Sequence, residues 1–189
     1  MTLARNVEIK LRAEDLQRLA RSLQGIIGAR DCGILEQRDI FFHSPCGRLK
    51  LRLDATAPAQ LIHYERTDAA ELRPSDYRIV EVADGERMQA ILAAALGTRG
   101  EVHKRRHLFL HDNVRIHLDE VDGLGRFVEI EAVVDASHDA AACHLQAQRL
   151  LDALGLANAP RESQAYIELL QAPSPQPDHK SNNAEGNPE

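Results

Sequence analysis

Along residues 47–53, GRLKLRL, apolar and cationic positions alternate without a break. Successive side chains of a strand point to opposite faces. Leu49, Leu51 and Leu53 therefore make one face, and Arg48, Lys50 and Arg52 the other. The same period predicts a strand over 5–12, with Val7, Ile9 and Leu11 opposite Asn6, Glu8, Lys10 and Arg12. Further strands are expected at 35–42, 61–66, 76–82, 101–110, 114–119 and 126–134. Helical spacing of Leu16, Leu19, Ala20 and Leu23 predicts a helix from about residue 13, ended by Gly25 and Gly28. Other helices are expected at 84–96, stopped by Gly97, at 138–154 and at 162–171. Residues 172–189, rich in Pro, Ser, Asn and charge, read as a disordered tail behind one domain over 1–171.

Short turns join most neighbouring strands, which favours antiparallel pairing. About eight such strands can close into a barrel, and closure removes exposed edges. The fold class expected is α+β: an eight-stranded antiparallel closed barrel with helices packed outside. The simpler arrangement is a sheet with its charged faces in water, and for any one strand that is the commoner case. The sorting of charge argues for the inverted one. Arg48, Lys50 and Arg52 are all cations, whereas Glu129 and Glu131 share a face opposite Val128 and Ile130. Arg115, His117 and Asp119 share a face, as do Tyr64 with Arg66 and Lys104 with Arg106. A face in bulk water has no need to sort its signs; a site for a metal-bound polyanion does.

Composition narrows the ligand. The net charge is −6 and aromatic residues make up 4%, which speaks against nucleic-acid partners and against stacking platforms. Any anion site must be a local cluster set against the overall charge. No apolar run approaches the ~18 residues of a membrane span, and the start MTLARNVEIKLR lacks a signal-peptide core. A cytoplasmic protein is expected. Cys32, Cys46 and Cys143 are far apart and form no CxxC pair, so they read as plain thiols. His63, His103, His107, His111 and His117 show no metal-ligand spacing; His117 stands out because it shares a face with Arg115 and Asp119. GLG at 123–125 reads as a hairpin turn, not a dinucleotide loop. Asp39 and Gln37 read as hydrogen-bonding residues, and Tyr166 as packing.

The chemistry of a triphosphate matches these faces. Arg grips phosphate bidentately and Lys acts as a point charge. Lys10, Arg48, Lys50, Arg52, Arg66, Lys104, Arg106 and Arg115 are the candidate phosphate set. Carboxylates alone would repel phosphate, but around Mg²⁺ or Mn²⁺ they hold a metal that bridges phosphate oxygens. Glu8, Asp119, Glu129 and Glu131 are the candidate metal set, and Glu8, Lys10, Glu129 and Glu131 the candidate catalytic group.

The segments NVEIK, QRDIFFHSPCGRLKLRL, LIHYER, VHKRR, VRIHLDEVDGLGRFVEIE and AYIELL, in that order over roughly 4–171, resemble the CYTH domain family of triphosphate tunnel metalloenzymes. The resemblance implies an eight-stranded antiparallel tunnel with basic residues on the triphosphate and acidic residues on divalent metal. The family's first-strand motif, ExExK, is met here by Asn6, Glu8 and Lys10. Asparagine offers a carbonyl oxygen to a metal but no charge. Three functions stay open: hydrolysis of a triphosphate (tripolyphosphate, ATP or thiamine triphosphate); a class IV adenylyl cyclase making cyclic AMP and pyrophosphate; and a non-catalytic polyphosphate- or nucleotide-binding module. A homodimer through the helix at 138–154 is a further expectation.

Overall fold

The alternating segments pair edge to edge until the sheet meets itself. The structure, a computed structural model, describes residues 3–172. Its strands are β1 (Ala4–Arg12), β2 (Arg30–Phe42), β3 (Arg48–Asp54), β4 (Ala59–Arg66), β5 (Arg73–Val82), β6 (Thr98–His111), β7 (Val114–Val121) and β8 (Gly125–Val133). They close in the order β1-β5-β4-β3-β2-β6-β7-β8, every pair antiparallel. This is the expected α+β barrel. The expected tail lies outside the described residues from 173 onward.

The apolar faces point outward, under helices. α1 (Leu16–Ser22) and α3 (Ala140–Ala153) cover β1, β7 and β8. There Ile9, Leu11, Ile116 and Ile130 pack with Leu19, Leu23, Ala147 and Leu151, all buried. α2 (Gly85–Leu96) lays Met88, Leu92 and Ala93 over Ile40, Phe42 and Leu51. Burying a Leu or Ile side chain contributes ~1.5–3 kcal/mol. These outer layers therefore stabilise a barrel whose inside is polar. Each of the three helices starts on an aspartate, Asp15, Asp84 or Asp139, whose side chain accepts from a backbone N–H in the first turn.

Several element boundaries differ from the pattern. Gly25 does not end the first helix: the chain runs on through a π-helical turn, Leu23–Ile27, and Gly28 at φ 67° ends it. β2 begins at Arg30, with an irregularity between Asp31 and Ile34 that hides its early alternation. β5 begins at Arg73, because Pro74 sits at the strand start opposite Val7, where its missing N–H is tolerated. The last helix, α4, is Tyr166–Gln171, shorter than expected. Among the described residues, no helix is long and apolar enough to cross a membrane.

Candidate active site in the barrel lumen

The polar faces converge on a cavity of about 380 Å³ inside the barrel. Seven cations and five carboxylates line it, so the lumen is cationic inside an acidic chain. Register does the sorting. Lys10 lies opposite Glu129, Arg52 opposite Asp39, and Arg115 opposite Glu131. Opposite charges directly across a pair of strands attract, and here they face a confined space.

On one wall, Asp39 holds three cations at once. Its carboxylate accepts from Arg52 at 2.7 and 3.0 Å, from Lys50 at 2.9 Å and from Lys104 at 2.5 Å. Burial alone would push this carboxyl up, but Arg52, Lys104 and Lys50 hold it well below the usual range. One negative charge cannot neutralise three positive ones. The surplus leaves this wall positively charged.

Across the lumen stand the carboxylates. Glu129 accepts from Arg106 at 2.9 Å and lies 3.4 Å from Lys10. Glu131 pairs with Arg115 at 2.8 Å. The Nδ1 of His117 lies 3.6 Å from each of Glu129 and Glu131 and has no hydrogen-bond partner. Donor atoms of His117, Glu129 and Glu131 all lie within 4.8 Å of one another. Glu8, opposite Glu131 in register, is held by Arg66 at 3.2 Å and Arg73 at 3.5 Å. Burial and then Glu131 push the Glu8 carboxyl up, against Arg66. Burial also opposes ionisation of Glu129, yet Lys10, His117 and Arg106 hold that carboxyl well below its usual range. The two kinds of carboxyl group are thereby driven apart, one toward holding a proton and one toward staying charged.

These residues fit a divalent metal. Two carboxylates, Glu129 and Glu131, and an unpartnered buried imidazole nitrogen form a donor set that suits Mg²⁺ or Mn²⁺. Asn6 lines the same cavity, 3% exposed, and its Oδ1 has no partner.

Two expected site residues stand elsewhere. Asp119 is fully buried behind Arg106, to which both its oxygens bind at 2.6–2.7 Å, and it accepts from the Tyr166 hydroxyl at 2.9 Å. It does not line the cavity. Arg48 does not line it either; it donates to Glu168 of α4 and to Asp68. Sequence reasoning missed Arg73, hidden by Pro74, and gave too little weight to His117. It also read Tyr166 as packing alone. Tyr166 and Ala165 line one end of the cavity, where the Lys10 ammonium sits 4.1 Å over the Tyr166 ring and donates to the Gln164 carbonyl at 3.0 Å. Leu35, Pro58, Ile79 and Leu108 line the opposite end.

A family model, the CYTH domain, matches residues 4–166. The chain belongs to the CYTH domain family. No curated protein matches the sequence. Among solved structures, the PH1012 protein of Pyrococcus horikoshii OT3 is 27% identical, with a TM-score of 0.75 over 87% of this chain and 98% of that one. A Vibrio parahaemolyticus protein named as a candidate adenylate cyclase is 22% identical, at a TM-score of 0.69 over 88% and 98%. HpAC1 of Hippeastrum, a candidate adenylyl cyclase described as having a dominant triphosphatase activity, is 15% identical, at a TM-score of 0.60 over 88% and 95%. At those identities the last two likenesses carry the CYTH barrel and not its chemistry.

Lys104 makes this CYTH lumen sensitive to pH. Burial pushes its ammonium down to about 7, with Asp39 opposing and Arg52, Lys50 and Arg106 adding to the fall. Above pH 7 the folded protein holds this lysine neutral while the unfolded chain keeps it charged up to ~10.4. Stability from this group therefore rises with pH between those values. A bound polyanion favours the charged form. Binding tripolyphosphate at pH 8 is expected to take up a proton, seen by calorimetry in buffers of different ionisation heat. Lys104→Met should lose that uptake.

Proposed function

We propose that the chain hydrolyses a triphosphate in the barrel lumen, in a reaction that depends on a divalent metal. The observation that carries this is the three-cation cluster on Asp39 facing a carboxylate and imidazole cluster across one cavity. The phosphate chain lies between Lys50, Arg52 and Lys104 on one side and Lys10, Arg66, Arg106 and Arg115 on the others. Arginine forks fix the oxygens in place, and fixed charges stabilise the negative charge that builds as the phosphoryl group transfers.

Glu129 and Glu131, with His117, would hold Mg²⁺ or Mn²⁺, which would screen phosphate charge and activate water. Asp119 and Tyr166 act behind them by fixing the Arg106 guanidinium. Glu8 is the group placed to take a proton from attacking water, because its carboxyl is raised by burial and by Glu131. Water attacks the terminal phosphorus, the bridging P–O bond breaks, and diphosphate leaves with the electron pair. Lys10, beside Glu129, stabilises that departing charge.

A second reading, a class IV adenylyl cyclase, is favoured by the end where Leu35, Pro58, Ile79 and Leu108 stand beside Asp54 and Gln60. That end could seat a base, with the ribose 3′-hydroxyl replacing water as nucleophile. A product assay separates the two. With Mg²⁺ or Mn²⁺, orthophosphate from tripolyphosphate, ATP or thiamine triphosphate supports hydrolysis. Cyclic AMP with pyrophosphate supports the cyclase. Tripolyphosphate binding without turnover leaves a binding module and points to Asn6.

Arg52 tests the phosphate site directly. Arg52→Ala removes a charged hydrogen-bonding fork, of ~1.5–3 kcal/mol per bond. Triphosphate affinity and kcat/KM should fall together, by roughly 10- to 100-fold. Wild-type affinity in that variant would remove Arg52 from the site.

A further inference from the structure

The outer surface carries a second cluster of metal-ligating groups that the lumen chemistry does not use. The geometry points to a zinc-type site formed by Cys46, His63 and Glu65 on the outside of the barrel. Donor atoms of these three side chains lie within 4.8 Å of one another. They are a thiol, an imidazole and a carboxylate, the ligand types that bind Zn²⁺ through three protein groups with the fourth position left to water.

The fold preforms the arrangement. Ile62, Tyr64 and Arg66 of β4 line the cavity, so His63 and Glu65 point outward from a strand paired on both sides. Cys46 comes from the turn before β3. That turn is pressed onto β4 at Gly47, whose φ is 64°. A Cβ at Gly47 would meet the Tyr64 carbonyl and Glu65 Cγ at 2.7 Å and His63 Nε2 at 2.8 Å. Only glycine lets the backbone lie this close, and the consequence is that residue 46 sits over the two outward side chains. His63 Nε2 already reaches residue 46, 3.1 Å from its carbonyl oxygen.

The Cys46 thiol and the Glu65 carboxylate take part in no other hydrogen bond or ion pair among the described residues, and the His63 ring bonds only to the Cys46 carbonyl. Among the described residues, Cys46 and Glu65 are exposed and Glu65 makes no ion pair. Cys143, by contrast, is buried and bonded to the Val133 carbonyl. The two sites of the protein differ in chemistry. The lumen offers carboxylates and imidazole, whereas the outer cluster adds a thiolate, which selects a softer ion. Binding takes the proton from the Cys46 thiol and releases it to solvent, so affinity rises with pH.

Co²⁺ is the probe, because a thiolate ligand gives it a sulfur-to-metal charge-transfer band that oxygen and imidazole do not. The full chain is titrated with Co²⁺ in excess Mg²⁺, then Zn²⁺ is added to displace it. The expected result is one equivalent with the charge-transfer band, lost in Cys46→Ser. His63→Ala and Glu65→Gln should each weaken binding by at least the roughly tenfold that losing even an outer partner costs. Zn²⁺ should also protect Cys46 from alkylation while Cys32 stays reactive. No band at metal concentrations that saturate the lumen would overturn the proposal, and so would a band that persists in Cys46→Ser. Unchanged affinity in both the His63 and Glu65 variants would overturn the ligand set.

Discussion

Replacing Asp39 with alanine is expected to lower the unfolding free energy by about 3–5 kcal/mol, the cost of leaving buried charge uncompensated. Asp39 is the shared counter-ion of Lys50, Arg52 and Lys104, and it is 2% exposed. Removing it leaves three cations in one wall of the lumen with no other carboxylate bonded to them among the described residues. The same change should tighten tripolyphosphate binding, since the anion no longer competes with a resident carboxylate. Urea unfolding with and without tripolyphosphate reads both effects in one experiment. The variant should unfold at lower urea alone and gain more from the ligand than the wild type does. A loss below about 1 kcal/mol, the scale of an exposed pair, would mean that Asp39 does not organise the cluster.

Glu129→Gln is expected to lower kcat/KM by about 10²-fold or more, with the loss partly recovered at high Mg²⁺ or Mn²⁺. Even outer-shell losses at metal sites cost 10–100-fold, and Glu129 belongs to the donor cluster itself. It also sits between Lys10 and Arg106, so the amide removes the charge that opposes both. Kinetics over a range of metal concentrations separate the two roles. A raised metal requirement marks a ligand. A loss that metal does not touch marks Glu129 as a counter-ion for Lys10 and Arg106 alone. Activity equal to wild type at every metal concentration would take Glu129 out of the site.

Both predictions rest on a barrel turned inside out relative to an ordinary one. Its stability comes from aliphatic side chains under α1, α2 and α3, and its lumen bears the electrostatic strain. Such strain persists because register and closure bring carboxylates against the cations, as Asp39 meets Lys50, Arg52 and Lys104. Under the proposed function, a triphosphate and its metal would replace internal pairs with external ones of the same sign. The proposed activity and the stability would then depend on the same residues, and ligand-induced stabilisation is the simplest readout of either.

Much of this was legible in the chain. A strict period of two in GRLKLRL, VRIHLD and RFVEIE assigns faces without reference to any partner, because strand geometry alone forces it. The sorting of cations and carboxylates onto separate strands pointed to a charged interior, and most of the candidate residues do line the cavity. Local pattern could say nothing of depth along the barrel axis. Arg48 and Arg52 share a face of β3, but only Arg52 lines the cavity; Arg48 is drawn to Glu168 of α4. Asp119 shares a face with Arg115 and His117, yet the barrel's closure places it behind Arg106. Arg73 was masked by Pro74, whose local signal is a break and whose place at a strand start is a property of the sheet. Cys46, His63 and Glu65 show the same limit from outside: they are 17 and 19 residues apart in the chain, measured from Cys46, and close together only because Gly47 folds one strand's turn onto the next. Sequence by itself determined which face each side chain takes, since that depends on backbone geometry between neighbours. The tertiary structure alone decided which charges meet, because register and closure bring together residues that share no local constraint.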